Sequence, residues 1–443
     1  MDAELELAGH VVTLALEAGA TEAEVTYSVT KRFSTEARGL EIVKLEQSVG
    51  RSLALRAFVH GAKASLGTSD FSPDGLRAMV HAAVDAARFV GADPHGGLPE
   101  GASQRISDAG LDTYAADVGA RAAELKLEDA LALERDIRAA HPSVVNSSGS
   151  RVADATSTIA LANSKGFAGA YRATQASLSA SPIAADGADK RTGSYGSAAR
   201  SYAGLESARA VATKAARRAT DMIGARRPST MRCPVIFERD VAALVLSDIF
   251  SALSAANVAV GNSFLAQKIG ARVGSELVTI LDDGRLPRGL GSSPFDSEGV
   301  PTRRNVVFER GVLQTFLYDT YYGRRLGAAS TGNAAGGGIG PTNFFLEPGT
   351  QTLDELIADT PRGVLVVDTI GFSTESVTGT YSRGARGFAI VNGALAYPID
   401  EFTIAGDLPG MLAGVDAVAN DLVFDQSIIS PSFRIAEMTI SGQ

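Results

Sequence analysis

The chain has 443 residues, of which 45% are hydrophobic and 21% are charged, and it carries a formal net charge of -9. This composition is typical of a folded globular protein and excludes a disordered chain, while the length predicts two or three domains. The acidic balance argues against a nucleic-acid partner, because binding to phosphate groups needs a basic face.

The first 66 residues are predicted to form a helix followed by strands. An apolar stripe indicates an amphipathic helix over residues 4–18. The stripe consists of Ala8, Val11, Val12, Ala15 and Ala18. From residue 24 to residue 66 the chain is rich in Val, Thr, Phe and Leu, which favour strands. Breaks at residues 38–39 and 60–61, each ending in glycine, suit the turns of two hairpins.

A second helix is expected to begin just after Ser72. Ser72 can cap it, and Pro73 suits its first position because the N–H that proline lacks is not needed there. The stripe expected to be buried consists of Leu76, Met79, Val80, Ala83, Val84 and Ala87. Further helices are predicted over residues 118–140 and 203–223, with strands between them across residues 156–195. Residues 163–166 are interpreted as a hairpin turn within those strands.

A domain boundary is expected at residues 226–229, where two arginines precede a proline. It divides the chain into an N-terminal α+β domain, residues 1–227, and a β-rich α+β domain, residues 228–443. The second domain is predicted to open with a strand and an apolar helix over residues 239–256, followed mostly by hairpins. Because strands and helices occur in clusters and do not alternate, we expect an α+β fold with antiparallel β-sheets and packed helices.

The five histidines give no sign of a local metal site. They are His10, His60, His81, His95 and His141. A zinc site on a helix needs two imidazoles about one turn apart, and no pair here has that spacing. The sequence therefore predicts no metal site built from neighbouring residues, although ligands gathered from distant parts of the chain remain open.

Other candidate motifs are interpreted as structural. The glycine-rich run at residues 336–340 lacks the Lys-Ser/Thr of a phosphate-binding loop and is interpreted as a flexible loop, with room for a mobile flap near a binding surface. The acidic pair at residues 282–283, and Asp296 with Glu298, are interpreted as turns. Cys233 is expected in the core. No serine nucleophile elbow occurs, so no complete hydrolytic motif is present.

Five segments, taken in order, resemble the TldD/PmbA family, and more closely its PmbA branch, also called TldE. The segments are NSKG at residues 163–166, PFDSEGV at 294–300, STGN at 330–333, VTGTYSRGA at 377–385 and TIAG at 403–406. The set spans nearly the whole chain. VTGTYSRGA followed by TIAG is its most specific part.

The resemblance implies that this chain lacks the family's metal-binding motif at identifiable positions. In the family, the TldD-type subunit carries a His-Glu-x-x-x-His helix that binds a metal and activates water for peptide hydrolysis. The matching positions here are Leu246, Ser247 and Ser251, which cannot supply imidazoles and a general base. A cysteine ligand expected near the C-terminus has no counterpart at residues 427–432. We therefore expect no metal in this chain and zinc in a partner subunit.

The resemblance also implies a function for the chain. It would pair with a TldD-type metallopeptidase subunit as a heterodimer, as the subunit that is not catalytic by itself, and help to enclose a channel for small unfolded peptides or peptide precursors. Strand edges can hold such extended peptides, and the candidate groove residues are Tyr381, Ser382, Arg383 and Gly384. The family's older label, modulator of DNA gyrase, is not interpreted as DNA binding.

Two alternatives stay open from the sequence. The chain can be a stand-alone homodimeric peptide-binding or chaperone-like module without catalysis. It can also keep a metal-independent hydrolytic site that involves Ser382 and Arg383.

The location is expected to be the cytoplasm, without membrane contact. The first six residues lack the basic region of a secretory signal, and no run of about 18 apolar residues occurs. A single cysteine fits a reducing compartment.

Overall fold

The computed structural model describes residues 1–100, 110–371 and 374–442. The N-terminal half contains, in chain order, α1 (Asp2–Glu17), β1 (Glu22–Arg38), β2 (Glu41–Val59), β3 (Ala62–Thr68), α2 (Pro73–Val90), α3 (Ala116–Ala120), α4 (Ala123–Ala140), β4 (Val144–Asn163), β5 (Ala168–Asp186), β6 (Asp189–Thr192), β7 (Tyr195–Ala199) and α5 (Ala208–Thr220).

One antiparallel sheet organises this half. Its strand order is β3-β2-β1-β4-β5-β6, and β7 also pairs with β5. The hairpin turns predicted at residues 38–39, 60–61 and 163–166 are confirmed, since they connect β1 to β2, β2 to β3 and β4 to β5. Alternate side chains of a strand point to opposite faces, so the register decides which residues meet the helices.

Helices pack on one face of the sheet. α1 and α2 cover apolar side chains of β1 and β2, among them Val25 and Leu53. Farther along the strands, α4 and α5 cover Val152 and Leu178. The stripe predicted for α2 is buried as expected, and Ser72 Oγ accepts a hydrogen bond from a backbone N–H at 3.1 Å, which confirms the predicted cap.

Two predicted helices differ from the expected ones. The helix expected over residues 118–140 is interrupted, because Arg121 and Ala122 are extended between α3 and α4. In the helix expected over residues 203–223, the first part is a short 3-10 turn, Tyr202–Gly204. The α-helical part starts only after Ser207, whose hydroxyl caps α5. In both places, local caps and turns compete with an otherwise helical pattern.

The C-terminal half contains, in chain order, β8 (Met231–Phe237), α6 (Arg239–Leu253), α7 (Ala255–Ala259), β9 (Ile280–Asp283), β10 (Arg304–Glu309), β11 (Val312–Leu313), α8 (Thr320–Leu326), β12 (Ala334–Ala335), β13 (Gly338–Ile339), β14 (Phe344–Leu346), α9 (Leu353–Ala358), β15 (Arg362–Ile370), β16 (Thr380–Val391), β17 (Ala394–Asp407), α10 (Leu408–Ala413), β18 (Val415–Val418), β19 (Ile428–Ile429) and β20 (Phe433–Ser441).

Two mainly antiparallel sheets enclose the core of this half. The larger has the order β17-β16-β15-β8-β20-β18, and a further pairing of β17 with β20 closes five of its strands into a ring. The smaller has the order β11-β10-β9-β14-β19. Helix α6 contacts strands of both sheets, and its apolar side chains belong to the same core cluster as theirs. The predicted α+β fold with antiparallel sheets and packed helices is confirmed.

Arginines tie the two halves together. Arg56 on β2 donates a hydrogen bond to Glu298 at 3.1 Å. Arg200 donates to three carbonyl oxygens of the C-terminal half at 2.7–3.1 Å. In the opposite direction, Arg324 on α8 donates to four carbonyl oxygens of the N-terminal half at 2.5–3.4 Å. The planar guanidinium suits this role because it presents five donors in a fixed geometry.

The interpretation of residues 282–283 as a turn is wrong. Both residues lie in β9, a central strand, and Asp282 is fully buried. Its carboxylate accepts hydrogen bonds from Asn333 Nδ2 at 2.7 Å and from the N and Oγ1 atoms of Thr342 at 2.8 and 2.9 Å. These hydrogen bonds, from residues 51 and 60 positions away in sequence, offset the cost of burying the Asp282 carboxylate in a strand.

The glycine-rich run is also more ordered than expected. β12 and β13 form a two-stranded hairpin, with Gly336 and Gly337 at its turn. Their φ angles of 57° and 99° lie in the region that favours glycine. No helix in the described residues combines the length and the apolar character needed to cross a membrane.

Candidate functional site

Helix α6 positions the residues that the resemblance singled out. Glu238 precedes it, and its carboxylate accepts a hydrogen bond from the backbone N–H of Asp240 at 3.3 Å, in the manner of an N-cap. Apolar residues at helical spacing then bury the helix between the two C-terminal sheets. The buried residues are Val241, Ala242, Ala243, Val245, Leu246, Ile249, Ala252 and Leu253.

The three positions that match the family's metal motif lie in different surroundings. Leu246 is 2% exposed and belongs to the core, whereas Ser247 is exposed. Ser251 is half-buried, and its hydroxyl accepts a hydrogen bond from Asn257 Nδ2 at 3.3 Å. Zinc in proteins is bound by thiolate, imidazole or carboxylate groups. One alkyl group and two hydroxyl groups therefore do not fit a catalytic zinc ion at these positions.

Asp248, which follows Ser247 on α6, forms an ion pair. Arg383 Nη2 on β16 donates to both carboxylate oxygens of Asp248, at 2.9 and 2.7 Å, and Thr374 Oγ1 donates to the same carboxylate at 3.0 Å. Burial raises the pKa of Asp248, against the pull of Arg383 and Thr374. The charge of the Asp248 carboxylate, the acid beside Ser247, is therefore balanced by Arg383.

The four candidate groove residues divide into two pairs. Tyr381 is 1% exposed and Arg383 is 6% exposed, whereas Ser382 and Gly384 are half-exposed. Among the described residues, the hydroxyl of Tyr381 and the Nε of Arg383 have no hydrogen-bond partner, and burial raises the pKa of the Tyr381 phenol. A peptide at this strand would contact Ser382 and Gly384, while the other two side chains lie inside the protein. Their role in a groove remains a prediction.

Other metal ligands and nucleophiles are poorly placed. Within the described residues, no group of three or more His, Cys, Asp or Glu side chains is arranged to hold a metal ion. Cys233 is 4% exposed, as expected for a core residue, and burial raises the pKa of its thiol to about 11. A thiol with that pKa is protonated at neutral pH, so it is a poor nucleophile.

A cavity of about 310 Å³ lies between the N-terminal sheet and loops of the C-terminal half. Asp296 and residues 332–335 line it, so the glycine-rich hairpin lies at a concave surface. Asp296 is in a turn, as predicted, but it is 7% exposed and accepts backbone hydrogen bonds at 2.8–3.0 Å. Burial, with a contribution from Glu298, raises its pKa to about 7. These contacts join the loop of residues 296–300 to residue 334.

The sequence matches three parts of one protein family. They are described as PmbA/TldA metallopeptidase domain 1 over residues 23–87, the central domain over residues 116–223 and the C-terminal domain over residues 230–442. A protein of Haemophilus influenzae named metalloprotease PmbA homolog is 34% identical over 436 residues, which cover 97% of this chain and 94% of that protein. The chain belongs to the PmbA/TldD metallopeptidase family.

Two further PmbA/TldD comparisons agree over the whole length. Metalloprotease PmbA of Escherichia coli O157:H7 is 30% identical, covering 100% of this chain and 98% of that protein. The crystal structure of a candidate modulator of DNA gyrase from Bacteroides thetaiotaomicron superimposes with a TM-score of 0.93 at 26% identity, covering 100% of both chains. The resemblance carried by the five segments is therefore confirmed.

One matched domain contains both elements that carry the candidate residues. Helix α6 and strand β16 both lie in the region matched by the C-terminal domain. The boundary predicted after residue 227 falls between the central and the C-terminal matches. The sequence reasoning missed Asp248, although it lies within the degenerate stretch, because its partner Arg383 is 135 residues away.

Proposed function

We propose that this chain is the non-catalytic, metal-free subunit (TldE) of a heterodimeric PmbA/TldD-type metallopeptidase that hydrolyses small unfolded peptides or peptide precursors. Its partner is a TldD-type subunit, whose His-Glu-x-x-x-His helix holds zinc, the ion that activates water. We propose the cytoplasm as its location.

The donor chemistry of α6 carries this proposal. Leu246 is buried in the core, and the hydroxyls of Ser247 and Ser251 are not zinc donors. The carboxylate beside them, Asp248, is already held by Arg383 at 2.7 Å. Relatives named metalloproteases are 34% and 30% identical to this chain over 97% and 100% of its length. A chain that keeps the family's fold but lacks zinc donors on α6 suits a role beside a catalytic partner.

Reconstitution from separately purified subunits tests the proposal. The chain alone is expected to contain no stoichiometric zinc and to hydrolyse no unfolded peptide. Activity should appear on mixing with the TldD-type subunit and saturate at equal amounts. A matched control is the partner with its motif histidines replaced by alanine, which should bind the chain but give no activity. Zinc in the purified chain, with chelator-sensitive hydrolysis, would contradict the proposal.

A second candidate is a homodimeric peptide-binding module without catalysis. It is favoured by the cavity beside Asp296, because residues of this one chain form it. The two candidates differ in partner. A chain that purifies from its native cells only as a homodimer, and that leaves the activity of every TldD-type protein of those cells unchanged, would favour the second candidate.

A further inference from the structure

Strand β7 lies at an edge of the N-terminal sheet. It pairs with β5 and, among the described residues, with no other strand. Two cavities of about 510 and 230 Å³ lie beside it, and Ser197, Ala198 and Asp425 line both of them. The two cavities are therefore parts of one groove, which we call the edge groove. It separates β7 from residues 423–426 of the C-terminal half.

The pairing of β5 decides which main-chain groups of β7 are free. On β5, the N–H of Thr174 donates to the carbonyl of Thr113 at 2.9 Å, and its carbonyl accepts from Arg200 at 3.2 Å, so Thr174 points away from β4. Main-chain groups of an antiparallel strand alternate between its two sides, so the even-numbered residues of β5 face β7. Their partners on β7 are residues 195, 197 and 199.

Gly196 and Ala198 lie between those partners, so their N–H and C=O groups point away from β5. Within the described parts of the chain, these four groups form no hydrogen bond. Gly196 is exposed and Ala198 is half-exposed, and both line the edge groove. The two residues are about 7 Å apart along the strand, which is the two-residue repeat of an extended polypeptide. Their small side chains leave room for a further strand.

The opposite wall of the edge groove is partly apolar. Val423 and Phe424 are 42% and 40% exposed, and both line the larger cavity. They can cover apolar side chains of a strand that lies along β7, because side chains of a strand project to both sides of its backbone.

Charge does not select the ligand of the edge groove. The charged residues that line it are Arg200, Arg239 and Arg288, with Glu206, Asp240 and Asp425. The two signs balance, and Arg239 is already paired with Asp240 at 3.4 Å. Selection therefore falls to the free main-chain groups of β7. Donors and acceptors that alternate at the strand repeat are supplied by an extended peptide, and neither a nucleic-acid backbone nor a lipid chain supplies them.

We propose that the edge groove binds an extended peptide of about five residues, which adds to β7 as a further strand through the main chain of Gly196 and Ala198. The length follows from β7 itself, whose five residues span about 17 Å. The inference rests on the proposed function for the choice of unfolded peptides. It places them at β7 and assigns recognition to the main chain, independent of peptide sequence.

Thiol protection tests the site in the full chain. Cys233 is 4% exposed, so Gln426→Cys provides a single accessible thiol on the wall opposite β7. A synthetic pentapeptide of Ala, Val and Ser, with acetyl and amide caps that remove its terminal charges, should slow labelling of this thiol several-fold at saturation. Glu309→Cys, an exposed position outside the edge groove, is the matched control and should label at an unchanged rate.

The binding mode is tested on both sides of the contact. Ala198→Pro removes an N–H that points away from β5, a position where an edge strand tolerates proline. It should raise the Kd of the pentapeptide about three- to ten-fold, the effect of one lost hydrogen bond. The same pentapeptide with every amide N-methylated should not protect the Gln426→Cys thiol. This second test needs no change in β7.

Unchanged labelling of the Gln426→Cys thiol at millimolar pentapeptide would overturn the site. Equal protection by the N-methylated pentapeptide, or an unchanged Kd in a folded Ala198→Pro variant, would overturn the binding mode. All of these measurements use the isolated chain without zinc and without a partner. Their failure is therefore distinguishable from a failure of the reconstitution experiment.

Discussion

Replacing Asp248 with asparagine should strongly destabilise the C-terminal half. Arg383 is 6% exposed, and both hydrogen bonds from its Nη2 go to Asp248, at 2.9 and 2.7 Å. The substitution leaves a buried guanidinium without a counterion. Removing one partner of a buried pair costs about 3–5 kcal/mol, and we expect about 3 kcal/mol because the Asp248 side chain is 17% exposed.

Urea unfolding of the full chain, followed by circular dichroism, measures this loss. Asp74→Asn is the control, since that side chain is 96% exposed in its ion pair, and it should cost at most about 0.5 kcal/mol. The double variant Asp248→Leu with Arg383→Met should recover most of the stability because it leaves no unpaired charge. If Asp248→Asn loses less than about 1 kcal/mol, the account of this ion pair is wrong.

Three further substitutions test the contact between the two halves, the close packing at one glycine and the proposed lack of a catalytic serine. Burial raises the pKa of Glu24 from 4.5 to about 7, so the folded state keeps a proton that the unfolded state releases, and stability should fall as the pH rises from 4.5 to 7. Glu24→Gln should reduce this dependence in urea titrations at pH 5 and pH 8, and Asp296, whose pKa is also raised to about 7, should keep part of it. Gly291→Ala would place a Cβ 1.9 Å from the carbonyl oxygen of Thr342 and should lower the unfolding free energy by about 1–3 kcal/mol, whereas Gly338→Ala meets nothing within 4 Å and should be nearly neutral in the same assay. Ser382→Ala should leave the kcat of peptide hydrolysis by the reconstituted complex unchanged, because a lost groove contact changes only KM, and a large loss of kcat would favour the metal-independent site.

Local signals predicted much of the fold. Helix α2 was predictable because its cap, its first-position proline and its buried stripe all lie within 20 residues. The break at Arg121 was not predictable from periodicity, because the apolar pattern continues through it. Asp282 was mistaken for a turn residue because aspartates before a glycine favour turns, while the partners that bury it lie far away in sequence.

The candidate site was predicted from the resemblance, not from spacing. The family segments located Leu246, Ser247 and Ser251 on a helix, and the structure contains that helix. The residues themselves gave no sign that Arg383 reaches across from β16 to Asp248, since long-range pairs leave no periodic pattern.

Native mass spectrometry of the complex, combined with metal analysis of each subunit, tests the central claim most directly. The proposal predicts one copy of this chain, one TldD-type subunit and one zinc ion, with the zinc leaving with the partner when the subunits are separated. Zinc that stays with this chain, or a chain that forms only homodimers and gives the partner no activity, would contradict it.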